Sequence, residues 1–548
     1  MRTIKRQILI LFIGILSAIT MNAQGLDTTI DQLLNEKYPA DQPGATVLVA
    51  KDGNVIYREA FGSANLELDI AMKPENVFEI GSITKQFTSV SILMLMEQGK
   101  LSLQDEITQY LPDYPTRGKK ITIHSLLNHT SGIKSYTGMA NFRSQARTDM
   151  SPTELIDVFK NEPMDFDPSE EYRYNNSAYI ILGHIIEVTS EQTYAEFIEQ
   201  HIFKNLGMKN SYYGSHSKII KNRASGYQPG ENGYNNAEYL SMTLPYAAGS
   251  IMSCVDDMLL WQQALHKNTL ISEKSKQLAF TNYSLNNGEP IYYGYGFSVN
   301  EINGIPSIEH GGGIFGYESY GVYVPSEDLY VIVLTNRNGQ GPTDITVEIA
   351  AHALGNPFPS KTAVTVSEKK IKQWTGTYEF ANGVVRYITF QDGSLYSQRE
   401  GSTNLKLYAV SANEFYFEGR FTKYNFAIEN GKKVANFKSR IRESKGSESD
   451  KKHPVAKEAI AVDPKTLVKY IGTYEIQPGF NIEITTEGNQ IYAEATGQPQ
   501  VEIFAENETT FFLKVVPAQI IFTTDVDGVA KSLTLHQGGQ EMMGKKKS

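Results

Sequence analysis

Residues 45–62 hold two β-rich apolar runs, "ATVLVA" and "VIYREAFG", joined by Lys51-Asp52-Gly53-Asn54. An Asp-Gly between such runs predicts a β-hairpin. From Ser82 to about His266 the pattern becomes mostly helical, with loops rich in Gly, Asn, Ser and Tyr. Within it "FTSVSILMLM", stopped by Gly99, is apolar on nearly every side, which predicts a central buried helix. Three strand-like runs follow, "SIEHGG", "YESYGVYVP" and "LYVIVLTNR", and a helical pattern closes the region at "ITVEIAAHALG". Strands from both ends of a segment that encloses helices predict an α+β domain. Its antiparallel sheet is flanked by helices and carries a helical insertion.

After Pro357 and Pro359 the pattern changes to short alternating strands with Gly, Asn and Asp turns. "WTGTYE" at 374–379 returns as "YIGTYE" at 470–475, with Gly376 and Gly472 96 residues apart. Leu395-Tyr396 and Ile491-Tyr492, Tyr408-Ala409 and Phe504-Ala505, and Phe426 and Phe522 keep the same offset. A register held at separate places predicts duplication of a small all-β domain. The charged stretch "ESKGSESDKKHPVAKEA" at 443–459 reads as the linker between copies. The expected organisation is a leader at 1–23, an α+β domain at 24–360, a first repeat at 361–448, a linker at 449–464 and a second repeat at 465–548.

Composition narrows the function classes. With 41% hydrophobic and 20% charged residues, the chain of 548 residues reads as folded and multidomain. A net charge of −10 without a long basic cluster argues against nucleic acid as a partner. Arg2, Lys5 and Arg6 precede an apolar run, Ile8–Ile19, too short to span a bilayer, and Ala23 precedes Gln24. That order predicts a cleaved signal peptide, with periplasmic or secreted location and no membrane span after cleavage. Cys254 is the only cysteine, so an internal disulfide and a thiol-ligated metal site are excluded, and its apolar setting predicts a packed residue. No metal and no cofactor are expected.

Three short patterns carry candidate chemistry. Ser82 and Lys85 open the apolar helix on one face, so the amine can reach the hydroxyl, and burial would lower the lysine pKa until it can act as a base. Ser131–Lys134, Ser215–Lys218, Ser367–Lys370 and Ser449–Lys452 share the spacing, but none of them heads such a helix. Tyr174 and Asn176, in "YRYNNSAYIILG", can project from one loop toward a cleft; Tyr234-Asn235-Asn236 repeats the spacing in a turn-rich stretch. His310 ends a predicted strand in "IEHGGGIFGY", and Gly311, Gly312 and Gly313 would leave backbone N–H groups open to a substrate. His536-Gln537-Gly538 is a rival near the chain end. Taken singly, each pattern also fits a capped helix or a glycine-rich turn.

Ser-x-x-Lys, Tyr-x-Asn and His-x-Gly in this chain order resemble the serine β-lactamase and penicillin-binding superfamily. The branch most similar holds class C β-lactamases, D-aminopeptidases and esterases, and "PGATVLVAKDGNVIYREAFGSANLE", "LLNHTSGI" and "AAGSIMSCVDDMLLW" resemble its stretches. The resemblance implies a nucleophile at Ser82 that forms an acyl-enzyme and a base at Lys85 or Tyr174. It also implies a leaving-group acid at Tyr174, an orienting amide at Asn176 and an oxyanion hole at the N–H groups of Ser82 and Gly313. Ser131 lies in "HTSGI", which looks structural in that family. The family pattern usually has lysine where this chain has His310, which moves the expectation toward D-aminopeptidase-like or esterase-like action on a small peptide, amide, ester or cell-wall-derived substrate. A β-lactamase or D-alanyl-D-alanine carboxypeptidase, and a non-catalytic binding or scaffold protein, are the alternatives. The C-terminal repeats resemble lipocalin-like barrels that could cover the cleft, bind a ligand or mediate a homo-oligomer.

Overall fold

A computed structural model describes residues 25–548 except 140–141, 231–232, 340, 359–363, 382, 401, 418–420, 453–458, 478–479, 497–499, 515–517, 538–539 and 548. The expected signal peptide lies outside the described residues. The chain divides into two compact units, one ending at Pro359 and one beginning at Ser360.

The first unit is built on a six-stranded antiparallel sheet. Its strands are β1 (Ala45–Lys51), β2 (Asn54–Phe61), β3 (Ser298–Ile302), β4 (Ile305–Ile314), β5 (Tyr317–Val324) and β6 (Leu329–Thr335). Their order in the sheet is β3-β4-β5-β6-β1-β2, so strands from the two ends of the unit meet where β1 pairs with β6. Asp52 and Gly53 turn the β1–β2 hairpin at φ +52° and +73°, the left-handed pair a tight hairpin needs. Val47, Leu48 and Val49 are all fully buried, and because successive side chains point to opposite faces, both faces of this strand are covered.

The insertion carries α1 (Thr84–Glu97) and α2 (Asn176–Ser190), followed by α3 (Val255–His266); α4 (Thr343–Ala353) closes the unit. Every α1 residue from Thr84 to Leu93 is buried, as its all-round apolar pattern predicts. Phe87 stacks on Trp261 with ring centroids 3.9 Å apart, and Trp261 Nε1 donates to Gln86 Oε1 at 3.0 Å. Ser89 Oγ meets Tyr179 Oη of α2 at 3.1 Å. Asn175 caps α2 by accepting from Ala178 N at 2.9 Å.

Two expectations need correction. Ser82 does not head the α-helix; it lies in a 3-10 turn, Gly81–Ile83, that leads into α1. Nor does β4 end at His310. It continues through Gly311, Gly312 and Gly313, which pair with Tyr320, Ser319 and Glu318. Gly312 is needed for close approach rather than for a turn. A Cβ on Gly312 would run into the Ile80 carbonyl, which also accepts from Ser319 Oγ at 2.9 Å. Gly81, at φ +52°, would place a Cβ 2.9 Å from Gly313 N.

The second unit holds two closed eight-stranded barrels. The first runs from Gly376–Phe380 to Arg442–Ser449, the second from Gly472–Gln477 to Gln540–Lys546. The duplication extends to the plug at one end. Trp374 stacks on Phe426 and donates to Ala412 O at 2.8 Å; 96 residues later Tyr470 stacks on Phe522 and donates to Glu508 O at 2.9 Å. The stretch read as a linker from residue 443 starts too early, because Arg442–Ser449 pairs with Gly376–Phe380 to close the first barrel.

Replacing Gly312 by Ala should lower unfolding free energy by about 1–3 kcal/mol, the range for overpacking a close contact. Urea denaturation reads this directly, and an unchanged midpoint would contradict the close approach of β4 to the Gly81–Ile83 turn.

Candidate active site

Two remote segments and the Ser82 turn converge on the Lys85 amine. Nζ lies 3.0 Å from Ser82 Oγ, 2.8 Å from Asn176 Oδ1 and 2.9 Å from the Ala248 carbonyl. Lys85 has no exposed surface, and burial drives its pKa well below that of a free lysine. The Asn176 amide has a defined orientation because Nδ2 donates to Thr137 Oγ1 at 2.9 Å, which leaves Oδ1 for the lysine. Tyr136–Gly138 forms a short turn beside α2, and Ser135 Oγ accepts from Asn176 N at 3.2 Å.

Tyr174 lies in the loop before α2. Its ring centroid is 4.8 Å from Lys85 Nζ. Desolvation raises the phenol well above its ordinary pKa, and the nearby Ser82 hydroxyl only partly offsets this. The ring is 38% exposed, so solvent moderates the upward push.

His310 sits on β4 facing this group, its ring centroid 6.1 Å from that of Tyr174. Nδ1 lies 2.6 Å from the Gly311 carbonyl and Nε2 2.8 Å from Tyr293 Oη. A carbonyl can only accept, so Nδ1 carries the proton and the tyrosine donates to Nε2. Burial first, and the charge Lys85 carries once acid protonates it second, push His310 down to about 3. Gly311, Gly312 and Gly313 follow on the same strand, and Gly313 has open space where a Cβ would stand.

Sequence reasoning missed His129 and Tyr293. His129, fully buried and at φ +63°, accepts from Asn175 N at 3.1 Å through Nδ1, and its carbonyl accepts from Arg173 N at 3.1 Å. It thereby grips the chain on both sides of Tyr174, and the two ring centroids are 4.3 Å apart. "LLNHTSGI" contained the signal, but the pairing across 46 residues is visible only in the fold.

The rival patterns lie elsewhere. Lys134 pairs with Asp165 at 2.9 Å, and Tyr234 sits in a hairpin strand, Gly233–Asn236, where its hydroxyl accepts from Arg337 at 2.8 Å. His536 lies in a barrel strand, and Gly538 lies outside the described residues. Cys254 is fully buried, its thiol pushed up to about 12 by desolvation. Among the described residues no group of three or more His, Cys, Asp or Glu is placed to hold a metal ion.

A cleft of 340 Å³ opens over this group, lined by Ser82, Asn176 and Gly313 and walled by Tyr136, Phe142, Leu240, Ile314 and Phe315. Larger hollows occur elsewhere, including one of 590 Å³ on the first barrel. The Ser82–Lys85 contact, not size, marks the smaller cleft as the candidate site.

Residues 26–355 match the family model described as Beta-lactamase. The chain belongs to the β-lactamase family. This β-lactamase-family chain is a serine hydrolase, with the α+β fold of that family followed in sequence by two all-β barrels. Residues 456–546 match a domain of unknown function, DUF3471. Penicillin-binding protein 4* of Bacillus subtilis is 28% identical over 94% of this chain and 96% of its own length. A D-aminopeptidase of Gluconobacter oxydans is 26% identical over 58% of this chain, a match that spans 60% of that protein. Among solved structures, the octameric penicillin-binding protein homologue of Pyrococcus abyssi aligns with a TM-score of 0.56 and 26% identity, over 77% of this chain and 99% of its own.

The two buried histidines make stability depend on acid. His129 and His310 both titrate below the ordinary value of 6.5 in the folded state. Between pH 6.5 and about 3 the unfolded chain binds protons that folded His310 refuses. Their neutral packing is thus fully favourable above pH 6.5 and is lost as pH falls toward 3. Urea midpoints measured from pH 7.5 to 4 should fall less steeply for His310→Gln than for the unsubstituted protein; identical slopes would contradict a neutral buried His310.

Proposed function

We propose that this β-lactamase-family protein is an exported hydrolase that forms an acyl-enzyme at Ser82 on amide, peptide or ester substrates. One observation carries the reading: the hydrogen-bond inventory of the Lys85 amine. A neutral amine has two N–H groups and one lone pair. Carbonyl oxygens of Asn176 and Ala248 accept both N–H groups, at 2.8 and 2.9 Å. Burial, which lowers the Lys85 pKa, favours this neutral form over an ammonium donating to all three oxygens; its lone pair then faces the Ser82 hydroxyl at 3.0 Å, which supports Lys85 as the proton acceptor during attack. Tyr174, held protonated by its raised pKa, is the group suited to hand a proton to the leaving amine or alkoxide. Asn176 orients Lys85, and the Ser82 and Gly313 N–H groups stabilise the developing oxyanion, worth about 2.7–4 kcal/mol per donor. Water attack on the ester to Ser82 then releases the carboxylic acid and regenerates the hydroxyl.

Neutral His310 supplies no permanent cation for a substrate carboxylate, which supports amidase-, aminopeptidase- or esterase-like action over D-alanyl-D-alanine carboxypeptidase action. The aromatic and aliphatic walls of the cleft favour an apolar acyl group. Similarity to a D-aminopeptidase agrees with this reading. Export is supported by the basic head and short apolar run of residues 2–19.

A fluorophosphonate probe should label the protein and fail to label Ser82→Ala; equal labelling of both would contradict the nucleophile. On a panel of D- and L-amino-acid amides and short-chain esters, Lys85→Ala and Tyr174→Phe should each lower kcat/KM at least about a hundredfold, as loss of an acid–base group does. A near-normal rate in either variant would remove that residue from the mechanism, and the absence of turnover on the whole panel would favour a scaffold role.

A further inference from the structure

The two barrels share a backbone but not an interior, and the difference marks a site. In the first barrel Arg386 lies directly across from Tyr378 on one neighbouring strand and from Arg399 on the other. Directly paired residues share a face, and Tyr378 is fully buried in the barrel core, so both arginines belong to the inner row. The position of the Arg386 guanidinium agrees with this placement: it lies 4.1 Å from the ring centroid of Phe437, which packs against the core, and 5.8 Å from that of Phe380, a core ring. Beside it the buried Tyr424 hydroxyl meets Ser397 Oγ at 2.8 Å, and the positive charge of Arg386 partly offsets the rise that burial imposes on that phenol's pKa.

The second barrel provides an internal comparison. At the offset of 96, Tyr474 again pairs with the counterpart of Arg386, which is Ile482, and Ile482 pairs with the counterpart of Arg399, which is Ala495. Ser397 and Tyr424 correspond to Ala493 and Ile520. All four positions are apolar and belong to or pack against that barrel's core. The fold therefore closes without any polar group in this row. Like charges directly opposite one another are unfavourable, and among the described residues no carboxylate pairs with either guanidinium. Arg386 and Arg399 form the last pair of their two strands, at the end of the barrel opposite the Trp374 plug, and Arg399 is exposed there.

We propose that this end of the first barrel binds a small carboxylate with an aromatic or aliphatic body. Arg386 and Arg399 take the carboxylate, with Tyr424 beside them, and the rings of Phe380 and Phe437 take the apolar part. Two guanidinium groups suit two carboxylate oxygens, and charge-assisted bonds of this kind are the strong ones. The second barrel, with Ile482 and Ala495, has no such site.

Calorimetric titration of the full chain with 3-phenylpropionate and with 3-phenylpropan-1-ol tests this. The acid should bind at least about tenfold more tightly than the alcohol, the factor expected when a charge-assisted bond is lost. Arg386→Ile and Arg399→Ala, which copy the second barrel, should each weaken the acid at least about tenfold, with hydrolase labelling at Ser82 unchanged. Because Arg399 is exposed, Arg399→Ala keeps the test intact if Arg386→Ile fails to fold. Equal binding of acid and alcohol, equal binding by the folded variants, or no saturable binding of the acid at millimolar concentration would overturn the proposal.

Discussion

A lysine amine without exposed surface must find a counter-charge or give up its proton, and Lys85 has no carboxylate beside it among the described residues. The rest of the first unit follows from that constraint. The helix carrying Lys85 is apolar on all sides, so it can only sit at the centre of the domain, and its neighbours there exclude water from the amine. Two carbonyl-type oxygens from distant segments satisfy the N–H groups, and a hydroxyl one turn earlier receives what remains. In the proposed mechanism this burial favours an unprotonated amine in contact with the Ser82 hydroxyl.

The glycines of β4 belong to the same logic. The strand edge approaches the Ser82 turn closely, as the proposed oxyanion hole would require, and side chains at Gly81 or Gly312 would hold the two backbones apart. His310, one residue upstream, is tied to its own strand by the Gly311 carbonyl and to Tyr293, so it braces the edge as a neutral group.

Much of this was legible in the sequence because it depends on local pattern. Asp52-Gly53 between β-rich runs marked the hairpin, the all-round apolar run marked the buried helix, and a constant offset of 96 marked the duplicated barrels. What stayed hidden depends on contacts between remote residues. Spacing alone could not separate Tyr174 from Tyr234, since only the fold seats one beside Lys85 and the other against Arg337. His129 lies in the recognisable stretch "LLNHTSGI", but its partner, a backbone N–H in another loop, is set only by the fold. The run of three glycines reads as a turn by composition, and only the pairing with Tyr320, Ser319 and Glu318 makes it a strand. Likewise the repeat was visible from its aromatic landmarks, whereas the exchange of Ile482 and Ala495 for a pair of inward arginines gains meaning only from the register.

The central claim is that Lys85 is a neutral amine at working pH. Its proton can be followed directly by NMR of protein carrying 13C at the lysine ε-carbon, with Lys85→Arg used to assign the resonance. A midpoint well below 10.5, with the unprotonated shift at pH 7 to 8, is the predicted result. A midpoint at or above 10.5 would mean a charged Lys85 that cannot accept the Ser82 proton, and the account of attack by Ser82 would fail.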